Sequence, residues 1–372
     1  MVCPHIPELT YAEFGEALVG RIRDKRIPIT GTMELTERCN LDCAHCFVNL
    51  PPDDRQVRTR ELSTEQVCDL LDQIADAGCL SLVLTGGEPL VRSDFLEIYD
   101  YAKRKGFLIT LFTNGSLMTP EIADHLHEWP PFLVEVTLYG MSQETYERVT
   151  RVPGSYERCM RGIQLLSERD IPLGLKMVLM TLNRHEFEAV REYARELTGD
   201  FRYDAMLKPR PDGTKDVLSV RLTPAEVVEL DLADERAEAS FVRMAKQLWE
   251  HGHNDDHLYI CGAGLHSFHI DAYGQLSPCI LSRYLRYDLL AGIFQEGWRD
   301  FLAGVRAQTV SQEFKCRTCD WRAICGSCPA FAQLENGDPE TVVEFACRVG
   351  HLRAKAFGLD ERRPWRSAIG SD

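Results

Sequence analysis

The sequence predicts an α/β fold, in which a parallel sheet covered by helices is followed by a cysteine-rich part. Short β-rich runs alternate with amphipathic helical runs between residues 31 and 206, which gives six predicted strands. The chain has 372 residues, enough for two or three domains. Seven of its 14 cysteines fall between residues 261 and 347, so the C-terminal part is expected to differ in architecture.

The strands and helices of the repeats can be assigned in chain order. The predicted strands occupy residues 31–37, 81–87, 107–115, 132–140, 172–180 and 201–207. The predicted helices between them occupy residues 63–78, 94–106, 120–129, 155–170 and 186–199. Ser63 with Gln66 three residues later predicts a capping box at the first helix. The spatial order of the strands is open between a partial barrel and an open doubly wound sheet; both place chemistry at the carboxyl ends of the strands.

Composition divides the chain into five expected parts. They are an N-terminal segment (1–30), the repeats (31–206), a linker and helical segment (207–257), the cysteine-rich domain (258–350) and a polar tail (351–372). The helical pattern at 223–252 fits one long helix or two shorter ones.

Charge and hydropathy exclude several classes of partner. The formal net charge is −15, with 57 acidic and 42 basic residues, which disfavours binding to a nucleic-acid backbone. No apolar run approaches the roughly 18 residues that would span a membrane. The N-terminus lacks the pattern of a signal peptide. A cytoplasmic protein with reduced thiols, without nucleic-acid or membrane partners, is therefore expected.

Three cysteines, Cys39, Cys43 and Cys46, lie within eight residues just after the first predicted strand. Three thiolates can hold three irons of a four-iron cluster and leave the fourth iron open, which is typical of a catalytic metal site. The alternative is a structural zinc site completed by His45 or a distant residue. Zinc ligands are usually paired as Cys-x2-Cys, so the Cys-x3-Cys-x2-Cys spacing favours an iron–sulfur cluster.

The stretch CNLDCAHC resembles the cluster motif of radical S-adenosylmethionine (SAM) enzymes, and LTGGEPL (84–90) resembles their second signature. The resemblance implies a partial (β/α)6 barrel and a [4Fe–4S] cluster whose open iron is chelated by SAM. It implies that Gly86, Gly87 and Glu88 face the methionyl ammonium, since glycines permit close backbone approach and a carboxylate offsets the positive charge. The family's cofactors cleave SAM reductively to a 5′-deoxyadenosyl radical, which abstracts hydrogen from a substrate C–H bond.

The same resemblance implies further contacts to SAM. His45 takes a position near the adenine, and Thr113 and Asn114, in FTNG at the end of the third strand, take the next recurrent position. Many relatives carry an aspartate for the ribose at the end of the fourth strand, where this chain has Tyr139. The alternative for Thr113 and Asn114 is a purely structural role in the turn.

The late cysteines resemble the SPASM extension, a domain that binds auxiliary iron–sulfur clusters. The resemblance assigns them to a fully ligated [4Fe–4S] cluster at Cys316, Cys319, Cys325 and Cys347, and to a second cluster at Cys261, Cys279 and Cys328. The second cluster is either [4Fe–4S] or [2Fe–2S]. Some relatives have a further cysteine where this chain has Ser267. The second cluster therefore has an open iron, a fourth ligand such as His266 or Asp255, or a smaller number of irons. A zinc ribbon is the alternative for the cysteines at 316–328.

Relatives with this extension commonly modify ribosomally synthesised peptides, by crosslinking, oxidation or backbone excision. Processing of a haem precursor (a tetrapyrrole) is the alternative, and a non-catalytic metal scaffold is a third. In sulfatase-maturing relatives, an aspartate that acts as a base directly follows the cysteine that matches Cys279. This chain has Ile280 at that position, which disfavours the sulfatase-maturing reaction. Tyr203 and Asp204 lie near the end of the sixth predicted strand, where substrate is expected. They are either an acid/base pair or hydrogen-bonding contact for the substrate, or a structural link to the following loop.

Three partners are expected if the substrate is a peptide. They are the precursor peptide, a separate small protein that binds its leader, and an electron donor such as a flavodoxin or ferredoxin. The leader-binding protein is expected because only about 30 residues precede the first strand, too few for a leader-binding domain.

Overall fold

The computed structural model describes residues 11–22, 25–48, 50–199, 201–251 and 256–362. Its strands are β1 Thr30–Glu34, β2 Ser81–Thr85, β3 Leu108–Thr113, β4 Leu133–Thr137, β5 Leu173–Val178, β6 Phe201–Asp204, β7 Ser267–Ile270, β8 Gln275–Ser277 and β9 Tyr287–Asp288. Its α-helices are α1 Tyr11–Ile22, α2 Arg55–Arg60, α3 Thr64–Asp76, α4 Phe95–Arg104, α5 Pro120–Glu128, α6 Gln143–Thr150, α7 Ser155–Ser167, α8 Phe187–Leu197, α9 Pro224–Ala233, α10 Ala237–His251, α11 Phe294–Glu296, α12 Leu302–Arg306, α13 Pro329–Asn336 and α14 Glu344–Ala356.

The nine strands form one sheet in the order β6-β5-β4-β3-β2-β1-β7-β8-β9. Strands β1 to β6 are parallel, and each lies beside its predecessor in the chain. This order matches the expected partial barrel and excludes the doubly wound alternative, in which the strand order reverses partway across the sheet. No helix of the described ranges is long and apolar enough to cross a membrane.

The cysteine-rich part shares this sheet. β7 is parallel to β1, with Thr30 opposite Ser267, while β8 and β9 continue antiparallel. Phe268 anchors this junction, since its ring packs edge-on against Phe294 with centroids 4.8 Å apart. The C-terminal part is therefore joined to the barrel through backbone hydrogen bonds as well as through a linker.

The two faces of the barrel strands differ in character. Leu111, Val134 and Leu175 are buried and belong to the core that the strands share with the helices. The alternate residues point to the concave face, because successive side chains of a strand lie on opposite faces. That face is the inside of the partial barrel.

The five helices predicted between the strands are all present as α3, α4, α5, α7 and α8, with the capping box of Ser63 and Gln66 at α3. Residues 223–252 contain two helices, which is one of the two alternatives that the sequence left open. Helix α6 was not predicted, because it is a short polar helix inserted before α7. The expected boundary between residues 350 and 351 falls inside α14. Ala354 in this helix and Leu359 just after it are buried, so the first part of the expected tail packs into the core.

A buried ion pair joins α9 to α14. Arg353 Nε lies 2.7 Å from Asp231 Oδ2, and Arg353 Nη1 donates to the Ile324 carbonyl at 2.8 Å, within the late cysteine run. Arg353→Met is expected to lower the free energy of unfolding by about 3–5 kcal/mol, since it leaves a buried carboxylate unpaired. Chemical denaturation measures this. Arg362→Met, which breaks an exposed pair with Glu238, is the control and should cost only about 0–1 kcal/mol; equal losses would contradict the account.

Candidate functional site

The loop after β1 carries Cys39, Cys43 and Cys46. Cys39 and Cys43 are buried, and Cys46 is half-buried. The loop is held against the end of α6, where Ala44 N–H donates to the Val149 carbonyl at 2.9 Å. Burial raises the pKa of Cys39 to about 12 and also raises the pKa of Cys43. Thiolates at such a place need cationic partners, and three soft sulfur donors together fit the irons of a cluster.

The Gly-Gly-Glu segment after β2 lies directly against this loop. Gly87 N–H donates to the Thr36 carbonyl at 2.7 Å, and Glu88 N–H donates to the Arg38 carbonyl at 2.9 Å. A Cβ on Gly86 would come within 2.2 Å of the Thr36 carbonyl oxygen. The two glycines thus allow the backbone of the second signature to touch the backbone that leads into the cluster loop.

Glu88 is a fully buried carboxyl group at the centre of this arrangement. It accepts hydrogen bonds from Leu90 N–H at 3.1 Å, Thr113 Oγ1 at 2.8 Å and Asn114 N–H at 2.7 Å. Burial raises the pKa of Glu88 to about 7. A cation beside it would keep the carboxylate ionised, so the group suits an ammonium ligand, and it also ties the end of β2 to the end of β3.

Asn114 extends the network to the first cluster cysteine. Its Nδ2 donates to Asn40 Oδ1 at 2.9 Å and lies 3.7 Å from Cys39 Sγ. Asn40 Nδ2 in turn donates to Ser116 Oγ at 2.8 Å. Sequence reasoning missed Asn40 and Ser116, although Asn40 directly follows Cys39 in the cluster motif.

His45 and Tyr139 form an aromatic corner beside the loop. Their ring centroids are 5.1 Å apart in an edge-on arrangement. His45 Nδ1 is buried and has no hydrogen-bond partner among the described residues, and burial lowers the pKa of His45 to about 4. A neutral ring with an unpaired nitrogen fits a planar heterocyclic ligand. The Tyr139 hydroxyl accepts from Cys43 Sγ at 3.8 Å, so it lies at the cluster loop.

The structure does not bring Tyr203 and Asp204 together. The Tyr203 ring packs edge-on against Phe187 of α8, with centroids 5.0 Å apart, on the helix side of the sheet. Asp204 is on the opposite face, where it accepts from Met206 N–H at 2.7 Å and lies 3.5 Å from Lys208 Nζ. Adjacent residues of a strand point in opposite directions, so these two cannot act as a pair on one substrate atom. Asp204 alone faces the inside of the barrel.

The late cysteines lie near one another in two groups. Burial, with smaller contributions from Cys319 and Cys347, raises the pKa of the Cys316 thiol to about 11, and Cys325 has the same neighbours. Burial likewise raises the pKa of Cys328, where the nearby thiols are Cys261 and Cys279. A cavity of about 150 Å³ is lined by cysteines of both groups. Gly350, which sequence reasoning missed, permits the first group: a Cβ there would lie 2.6 Å from the Cβ of Cys325. Each group is a sulfur donor set that could hold an iron–sulfur cluster.

The fourth ligand of the three-cysteine group has a candidate that the sequence did not suggest. Ser282 is fully buried, and its Oγ lies 3.2 Å from Cys279 Sγ. Ser267 Oγ instead donates to the Gly262 carbonyl at 3.2 Å. Asp255 lies outside the described residues, and His266 borders Arg306 and the Ile27 backbone.

Comparisons with known proteins decide the family. Residues 33–194 match the Radical SAM superfamily. The mycofactocin maturase MftC of Mycobacterium tuberculosis is 30% identical over 85% of this chain and 83% of its own length. The chain belongs to the radical SAM superfamily. An AdoMet-dependent heme synthase of Methanosarcina barkeri is 28% identical, over 82% of this radical SAM chain and 92% of the relative.

Solved structures support the fold of the radical SAM chain. Streptococcus suis SuiB bound to the precursor peptide SuiA superposes with a TM-score of 0.67 at 16% identity, over 93% of this chain and 84% of SuiB. The predicted partial barrel with a C-terminal extension is confirmed, as is the enzyme class. Membership of the superfamily implies a [4Fe–4S] cluster and SAM as cofactors.

Gly87→Ala tests the contact between the two signatures. The added Cβ would lie 2.4 Å from the Arg38 carbonyl oxygen and 2.6 Å from that of Glu37, so the cluster loop must move. We expect a loss of about 1–3 kcal/mol in unfolding free energy and a lower iron content after reconstitution. Gly304→Ala, where a Cβ meets nothing within 4 Å, is the control. Full iron loading of Gly87→Ala would contradict the proposed contact.

Proposed function

We propose that this radical SAM enzyme modifies a ribosomally synthesised precursor peptide by crosslinking, oxidation or backbone excision. The observation that carries the proposal is the similarity to a maturase, MftC, at 30% identity over 85% of the chain. That coverage reaches well beyond the six-stranded part, into the segment with the late cysteines. The fold likeness to SuiB agrees with the proposal.

The proposal gives each part of the site a role. Cys39, Cys43 and Cys46 would hold the [4Fe–4S] cluster. The residues that would bind SAM are Gly86, Gly87, Glu88, His45, Thr113, Asn114 and Tyr139. When bound, cluster and SAM supply the radical that abstracts hydrogen from the substrate. The buried carboxyl of Glu88 would attract the ammonium of SAM, and the edge-on pair of His45 and Tyr139 would orient its adenine and exclude water.

The C-terminal part would hold two auxiliary clusters in this proposal. The four-cysteine group suits a fully ligated [4Fe–4S] cluster, and the three-cysteine group suits a [4Fe–4S] or [2Fe–2S] cluster with a fourth ligand such as Ser282. In this proposal residues 31–206 bind the first cluster and SAM, and residues 258–350 bind the auxiliary clusters. Both regions contribute strands to the same sheet. A small leader-binding protein and a flavodoxin or ferredoxin as electron donor complete the proposed cytoplasmic system. Tight leader binding by this chain alone would contradict the need for the small protein.

A tetrapyrrole substrate is the second candidate, because the heme synthase relative is 28% identical over 92% of its length. The two candidates can be separated with anaerobically reconstituted enzyme, SAM and dithionite. One sample receives short peptides encoded beside the gene, and the other receives iron coproporphyrin III. The proposal predicts a mass change in a peptide that keeps pace with 5′-deoxyadenosine. Loss of carboxyl groups from the porphyrin, with the peptides unchanged, would contradict it.

A further inference from the structure

Four adjacent strands bring a charged cluster to the concave face of the barrel. Phe112 on β3 is opposite Glu135 on β4, and Lys176 on β5 is opposite Arg202 on β6. Glu135 is buried, and the Lys176 side chain is 21% exposed, so the cluster forms part of the inner wall and is reached from the barrel interior. Lys176 is also within electrostatic reach of Glu88 and His45, which places it beside the proposed SAM site.

Lys176 is the more weakly paired of the two cations at Glu135. Arg202 donates through Nε and Nη2 to the two oxygens of Glu135, both at 2.5 Å. Lys176 Nζ has only a longer contact, 3.3 Å, to the same carboxylate, and it lies 3.7 Å from the centroid of the Phe112 ring. The next carboxylate, Asp204, is already close to Lys208.

A partly buried ammonium in this position is incompletely satisfied. It has three donors, and its carboxylate contact is shared with a bidentate arginine. A buried charge is costly unless an opposite charge joins it, so an anion with acceptor oxygens would complete the cluster. Glu88, the other carboxyl group near Lys176, already accepts hydrogen bonds from Leu90, Thr113 and Asn114.

We propose that Lys176 binds a carboxylate of the substrate inside the barrel, while the Arg202–Glu135 pair holds the lysine in place. The inference rests on the proposed function, since it assigns the substrate to the interior beside the SAM site. A precursor peptide carries such a group at its C-terminus or on an acidic side chain, and a tetrapyrrole carries it on its propionates. The shared chemistry is a single carboxylate close to the reacting C–H bond.

Protection of Lys176 from acetylation tests the inference without turnover. The full chain, reconstituted with its clusters and mixed with SAM, is treated briefly with acetic anhydride, and acetyl-Lys176 is quantified by mass spectrometry. One arm adds hippurate, a minimal peptide C-terminus, or its neutral amide. The other adds iron coproporphyrin III or its tetramethyl ester. We expect either acid to slow the acetylation of Lys176 about tenfold or more. The neutral amide or ester should have no such effect. Acetylation of Lys105, the C-cap residue of α4, should be unchanged in every sample.

The outcomes separate the sources of the carboxylate and the two proposals. If hippurate protects Lys176 at a lower concentration than iron coproporphyrin III does, a peptide substrate is favoured. If the porphyrin protects at the lower concentration, a tetrapyrrole is favoured. The inference is overturned if neither acid protects, if the neutral partners protect equally, or if SAM alone protects fully. Lys176→Met should raise the Kd of the protecting acid, measured by equilibrium dialysis, about tenfold or more, whereas Lys105→Met should leave it unchanged. 5′-Deoxyadenosine is measured in parallel samples that also receive dithionite as the electron source, so its absence there counts against the proposed function only.

Discussion

Replacing Cys39, Cys43 and Cys46 by alanine together is expected to abolish 5′-deoxyadenosine formation and to remove about four irons per chain. The three sulfurs occupy one loop that is pinned to α6 and to the Gly-Gly-Glu segment, so no other cysteine of the described chain can replace them without moving that loop. Iron analysis and chromatography of the SAM products measure both effects. About eight irons should remain if both auxiliary groups hold four-iron clusters.

The control for this variant is Cys68→Ala. Cys68 lies on α3, is half-buried, and belongs to none of the three cysteine groups. Its replacement should leave both iron content and SAM cleavage unchanged. If the triple variant kept its iron while Cys68→Ala lost iron, the assignment of the first cluster would be wrong.

The second change with a large expected effect is the replacement by alanine of the four-cysteine group, which consists of Cys316, Cys319, Cys325 and Cys347. These residues join a turn-rich segment to α14, so their cluster would crosslink two parts of the C-terminal region. We expect the loss of about four irons and a lower midpoint of thermal unfolding, since a site that binds metal only when folded stabilises the fold. Unfolding is followed by circular dichroism under anaerobic conditions.

The three-cysteine group gives the matched comparison. Replacing Cys261, Cys279 and Cys328 should remove about four irons for a cubane, or about two for a smaller cluster. Ser282→Ala should alter the spectrum of this cluster only, because Ser282 Oγ lies at Cys279 Sγ. If replacing all seven late cysteines removed no more iron than replacing either group alone, the two groups would share one cluster. That result would contradict the assignment.

The repeating part of the fold was predictable from local patterns. All six barrel strands and the capping box at Ser63 were confirmed, because period-2 and period-3.6 hydrophobicity and cap residues are short-range signals. Strands β7 to β9 were not predicted, since they are two to four residues long and lie among turns and cysteines. The place of β7 beside β1, on which β8 and β9 build, depends on tertiary packing around Phe268.

The candidate site shows the same division. The motifs located Cys39, Cys43 and Cys46 and the Gly-Gly-Glu segment, since their spacing reflects the chemistry directly. Asn114 was located, but its bond to Asn40 could not be, because it depends on how β3 meets the cluster loop. Likewise Lys176 and Glu135 are ordinary strand residues in the sequence, and only the register of β4 and β5 brings them together.

The most direct test of the account is reductive cleavage of SAM by the native chain. Anaerobically reconstituted protein is mixed with dithionite and SAM, and 5′-deoxyadenosine is quantified together with iron and zinc per chain. The account predicts 5′-deoxyadenosine and about 12 irons, or about 10 if the three-cysteine cluster is smaller. Intact SAM, with zinc in place of iron, would contradict it.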